Sequence, residues 1–144
     1  MTTQQDSSGA EGLFSQALQR YQAGEAPEAL LADFEAFTQQ APKQSAGWTC
    51  LAWLQLLCHK PEEALRSARY AVKINPQDPQ GRINLSLALL ETGGKGVREH
   101  IDLVRRVMAL SPEMGRELNA SIADGLQRRP GWPALEKVKA WLAD

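Results

Sequence analysis

This 144-residue chain has two cysteines and two histidines, and a thiol–imidazole pair or a Cys/His zinc site would have to be built from them. Cys58 and His59 are adjacent, but neighbours on a helix point about 100° apart, and thiol–imidazole catalysis needs the two groups in contact. Cys50 and Cys58, eight residues apart, would lie about 12 Å apart along one helix, too far for a disulfide. Neither cysteine belongs to a C-x-x-C pair, so zinc is not expected. Gly93-Gly94-Lys95-Gly96 offers backbone amides and a cation to a phosphate. A P-loop lysine, however, is followed by Ser or Thr and stands between a strand and a helix; here Gly96 follows Lys95. The segment reads as a widened hairpin turn. Arg105, Arg106, Arg116, Arg128 and Arg129 suggest an acidic partner or a solvated face, and they lack the interleaved aromatics that single-stranded nucleic acid would require. No catalytic residue, metal ligand or cofactor is assigned, and the chain is expected not to be an enzyme.

The elements that carry these residues can be read from periodicity. Sixteen basic against 17 acidic side chains give a net charge of −1, which favours neither nucleic acid nor an anionic membrane surface. The most apolar stretch, Trp48–Cys58, covers only 11 residues and is interrupted by Gln55, against roughly 20 for a membrane-spanning helix. Met1–Gly12 lacks the cationic start and apolar stretch of a secretory signal. With reduced thiols, these features predict a soluble cytoplasmic protein. Prolines at 42, 76 and 112 recur at spacings of 34 and 36. Before each, apolar or small residues step by four and three, as on one helical face: Leu30–Phe34–Phe37, Ala64–Ala68–Ala71 and His100–Val104–Val107. A second helix precedes each of these, and no strand-like alternation appears.

A unit of about 34 residues, with an aromatic, a Leu-small pair, a turn, inner alanines and a closing proline, resembles the tetratricopeptide repeat (TPR). Trp48-x-x-Leu51-Ala52 followed by Ala64, Ala68, Ala71 and Pro76 carries the likeness best. Units one and three depart from it, with Leu30 and Phe37 in place of alanine, Arg82 at the leading aromatic position and His100 at a small one. The resemblance implies an all-α solenoid, a right-handed superhelix of three hairpins at about 11–44, 45–78 and 79–112. A capping hairpin follows at 113–144, so that the domain spans 11–144. Residues 1–10, rich in Gln, Ser and Thr, are expected to be disordered. In the last hairpin Leu135, Val138, Trp141 and Leu142 form one stripe, which places Trp141 in the core.

Trp48–Cys58 is apolar on nearly every side, and such a helix is normally covered on every side. In the resembled family the first helix of each hairpin lines a concave groove that binds peptides. Mapped onto this chain, Trp53, Leu56, Ile83 and Leu87 would face that groove, together with the polar Gln19, Thr49, Gln80, Asn84, Arg116 and Asn119. A bare apolar patch of a few hundred Å² marks a partner site. The family's clamp for acidic C-termini needs Lys, Asn and Arg there, and only Asn84 fits. The expected function is a non-enzymatic interaction module that binds an apolar or amphipathic segment of another protein, as an adaptor or assembly factor. The alternatives are a homodimer through the groove, an accessory subunit of an enzyme complex, a small-molecule binder, or coverage of the groove by the chain's own N-terminal segment or terminal hairpin.

Overall fold

Proline stands first in five of the eight helices among the described residues, where its missing N–H costs nothing and its fixed φ suits the first turn. The computed structural model describes Thr2–Ala143, with side-chain surroundings from Gly9 onward. The helices are α1 (Thr2–Gln22), α2 (Pro27–Gln40), α3 (Ser45–Leu57), α4 (Pro61–Ile74), α5 (Pro79–Thr92), α6 (Val97–Leu110), α7 (Pro112–Arg128) and α8 (Pro133–Ala143). There is no strand among the described residues. Helix α1 begins at Thr2, so the stretch expected to be disordered is helical in its backbone from that residue; Met1 lies outside the described residues. Gln, Ala and Glu are good helix formers, and extending an existing helix is far easier than nucleating one.

Consecutive helices pack as antiparallel pairs, and α3 also touches α5. The small face of α4 makes this possible: Ala64, Ala68 and Ala71 are buried and let neighbouring helices approach. Where the repeat pattern expects an aromatic, Gln55 is buried and accepts a hydrogen bond from the Ser67 hydroxyl at 2.8 Å. Phe14 of α1 stacks on Phe37 and meets Phe34 edge-on. Side-chain caps open two helices: Asp78 accepts from the amides of Gln80 and Gly81, and Ser111 accepts from that of Met114.

The turns within the hairpins share one device. Gly24, His59 and Gly93 each follow a first helix with positive φ. In each turn the next amide reaches back five residues: Glu25 to Arg20, Lys60 to Gln55 and Gly94 to Leu89. This left-handed cap satisfies carbonyls that the helix end leaves orphaned. His59 is thus a turn residue that occupies a glycine position.

The C-terminal hairpin departs from a simple continuation of the stack. Helix α8 packs on α5 and α6, while α7 leaves the end of α6 and crosses the inner face made by α1, α3 and α5. Gly115, Leu118, Ile122 and Gly125 form its buried stripe. A Cβ on Gly125 would lie 2.7 Å from both Leu135 Cδ2 and the Trp53 ring, so glycine is what permits the close approach. Trp132, in the turn between α7 and α8, is 1% exposed and sits 5.6 Å from Trp53, centroid to centroid. Trp141 is 38% exposed, which corrects its expected place in the core: Trp132 takes that role from a loop, where helical periodicity assigns nothing.

Candidate functional site

Where α7 crosses the inner face, it leaves a cleft of about 490 Å³ between itself and α1, α3 and α5. Leu18, Phe34, Trp53 and Leu54 give it an apolar floor, while Gln80, Asn84, Glu117, Ser121 and Asp124 supply polar edges. Asn84 is held rigidly, with its amide donating to the Thr49 carbonyl and its oxygen accepting from Gln80, both at 2.9 Å. The Thr49 hydroxyl, buried between α3 and α5, has no hydrogen-bond partner.

One wall of the cleft is bolted by a polar network. Trp53 Nε1 donates to the Tyr21 hydroxyl at 2.7 Å, and that hydroxyl donates to Asp124 Oδ2 at 2.5 Å. Arg128 pairs with Asp124, donates to the Tyr21 carbonyl at 2.8 Å and lies 3.7 Å above the Tyr21 ring. Burial, reinforced by the carboxylate of Asp124, holds the Tyr21 phenol above its ordinary value, so it remains a neutral donor. The turn after α7 is fixed in a similar way. Arg129 donates to the Leu56 carbonyl at the end of α3 and to Glu91 of α5, and Trp132 Nε1 donates to Glu91 at 2.8 Å. Cations at helix C-termini complement the helix dipole.

The sequence-predicted site residues divide into three groups. Thr49, Trp53, Gln80 and Asn84 line the cleft. Leu56, Ile83 and Leu87 are 0% exposed. The expectation that they face an open groove is therefore corrected, because they lie within the core that α7, α8 and Trp132 complete. Trp53 is also largely covered, at 8% exposure. Gln19, Arg116 and Asn119 are exposed and lie outside the cleft lining. Sequence reasoning gave Tyr21 and Asp124 no site role and read Arg128 only as one of five arginines that suggest an acidic partner or a solvated face. The available signal was the stripe Gly115–Leu118–Ile122–Gly125, whose small ends announce a helix lying flat against others.

Cys50 and Cys58 are free thiols, and no cluster of three metal-ligating side chains occurs among the described residues. His100 Nδ1 accepts a hydrogen bond from the Arg82 guanidinium at 2.9 Å, and burial followed by that guanidinium lowers its pKa. No helix of the described residues is long and apolar enough to cross a membrane.

The chain matches no protein-family profile and no curated protein. Solved structures do match. The type III secretion chaperone SycD of Yersinia enterocolitica, in complex with a peptide of the translocator YopD, is 21% identical with a TM-score of 0.66, over 90% of this chain and 92% of that one. PcrH in complex with the chaperone-binding region of PopD is 21% identical with a TM-score of 0.67, covering 93% of each chain. PcrH from Pseudomonas aeruginosa alone is 18% identical with a TM-score of 0.65, over 94% and 90% of the two chains. At these identities the likeness establishes the fold: an all-helical solenoid of helix hairpins.

Proposed function

We propose that this protein is a non-enzymatic interaction module that holds a short, apolar or weakly polar segment of another protein in the cleft between α1, α3, α5 and α7. The observation that carries this reading is the cleft itself, an open recess with an apolar floor that the crossing helix α7 leaves unfilled. A preformed site of this kind requires little ordering on binding. Its charge argues against an acidic ligand. Arg128, the one cation among the described lining residues, is already engaged by Asp124 and Tyr21, and Glu117 has no ion-pair partner among the described residues. The fold supports the reading by likeness, since SycD was solved with a peptide of the translocator YopD and PcrH with the chaperone-binding region of PopD. Membership of the TPR family proper, with hairpins at about 11–44, 45–78 and 79–112, and a cytoplasmic place of action belong to the same proposal.

Self-association is a second reading, and it rests on another surface. Tyr70 and Ile74 of α4 are 53% and 40% exposed, and Trp48 stacks on Tyr70 at 4.8 Å. The test is selection of a random-peptide phage library on the wild type and on Ala120→Trp, which fills the cleft from an exposed lining position. Peptides of apolar character that bind the first and not the second support the cleft. A selected set indifferent to Ala120→Trp overturns it.

A further inference from the structure

A separate recess of about 300 Å³ opens between α6 and α8, away from the cleft. Val97, Ile101 and Trp141 form its apolar walls, and Arg98, Asp102 and Arg105 its rim. It continues into a shallow surface that adds Glu99 and Arg106. Two features set this surface apart. Trp141 is 38% exposed on a helix whose Leu135 and Val138 are fully buried, so the indole is not needed to seal the core. Arg98, Arg105 and Arg106 form no ion pair among the described residues, and they outnumber the two carboxylates beside them. Tryptophan and arginine are the residues that most often anchor interfaces, because one supplies a large rigid contact area and the other a planar fork for carboxylates.

We propose that this recess docks an acidic segment of a partner protein. One leucine- or phenylalanine-sized side chain enters between Val97, Ile101 and Trp141, and a nearby carboxylate pairs with Arg98 or Arg105. A second copy of this chain fits poorly. Its most exposed aromatic, Tyr70, and the neighbouring Ile74 stand on α4 among Arg66, Arg69 and Lys73, and Leu110, 87% exposed, stands one turn after Arg106 on α6, so docking any of them here would bring cation against cation.

The experiment is selection of a random-peptide phage library on the wild type, followed by binding of the enriched synthetic peptides to Trp141→Ala and to the double variant Arg98→Glu/Arg105→Glu. Both arginines are exposed, so the double variant keeps the fold even if Trp141→Ala loosens α8, which circular dichroism checks. The expected result is a class of net-negative peptides with one large apolar residue. These peptides lose roughly tenfold or more in affinity on charge reversal and weaken as salt rises, while still binding Ala120→Trp. Three results overturn the proposal: no peptide depends on Trp141, the Trp141-dependent peptides are neutral or basic, or dilution of the protein alone shifts the Trp141 indole resonance and reveals a second copy in the recess. None of these touches the cleft, whose own test is Ala120→Trp.

Discussion

The Trp53 indole and the Tyr21 hydroxyl, 32 positions apart in the chain, form a 2.7 Å hydrogen bond that joins α3 to α1. The same hydroxyl bonds Asp124 of α7, so one phenol oxygen ties together three helices that enclose the cleft. Replacing Tyr21 with Phe keeps the ring beneath Arg128 but leaves the Trp53 N–H without its acceptor. A buried polar group left unpaired costs about 1–3 kcal/mol. Urea unfolding of Tyr21→Phe is expected to show a loss in that range, with the unfolding slope unchanged. A variant as stable as the wild type would show that the oxygen ties nothing.

Gly125 is the closest approach of α7 to the inner face. An added methyl would meet the Trp53 ring and Leu135 at 2.7 Å, and overpacking of this kind costs about 1–3 kcal/mol. Gly125→Ala is expected to lose stability in thermal unfolding, despite alanine's better helix propensity. Gly12→Ala, where a Cβ would meet nothing within 4 Å, is the control and should gain stability or stay level.

His59 has φ +59° where the equivalent turns use Gly24 and Gly93. The left-handed conformation costs a residue with a Cβ about 1–2 kcal/mol, partly offset by the greater freedom glycine loses on folding. His59→Gly is therefore expected to raise stability by about 0.5–1 kcal/mol. A drop in the urea midpoint would mean that the imidazole itself contributes.

Burial, with Asp78 adding to it, pushes the Cys50 thiol up to about 12. The unfolded thiol ionises near its ordinary value of about 8.5. As pH rises past that value the unfolded chain releases its proton first, so stability is full below about 8.5 and falls progressively above it. Tyr21, also held above its ordinary value, adds loss of the same sign above about pH 10. Urea midpoints for Cys50→Ala should decline less steeply between pH 8 and 10 than those of the wild type. Parallel declines would place the titration elsewhere.

How much of this was legible depends on what the chain repeats. Spaced alanines, turn prolines and apolar steps of three and four state the hairpins openly, because each unit buries its face in the same way. The cleft was half legible: Thr49, Trp53, Gln80 and Asn84 lie on the helical faces that the tetratricopeptide resemblance maps to the groove, and they line it. Leu56, Ile83 and Leu87 share those faces and are nevertheless sealed in, because α7 crosses the groove instead of stacking beyond α6. That crossing is set by Gly125, by Trp132 in a turn and by Arg128 reaching α1. Each is a contact between distant segments that local spacing does not encode. The exchange of roles between Trp132 and Trp141 has the same origin.

The most direct test of the central claim, that the cleft beside Trp53 receives another protein's segment, is the indole N–H spectrum of the four tryptophans. It would be recorded on dilution and on titration with a peptide selected against the wild type. The account predicts that dilution leaves the Trp53 resonance in place, that the peptide shifts it, and that Ala120→Trp abolishes both the shift and the binding. A Trp53 resonance that moves on dilution alone, or a peptide that binds Ala120→Trp equally well, would contradict it.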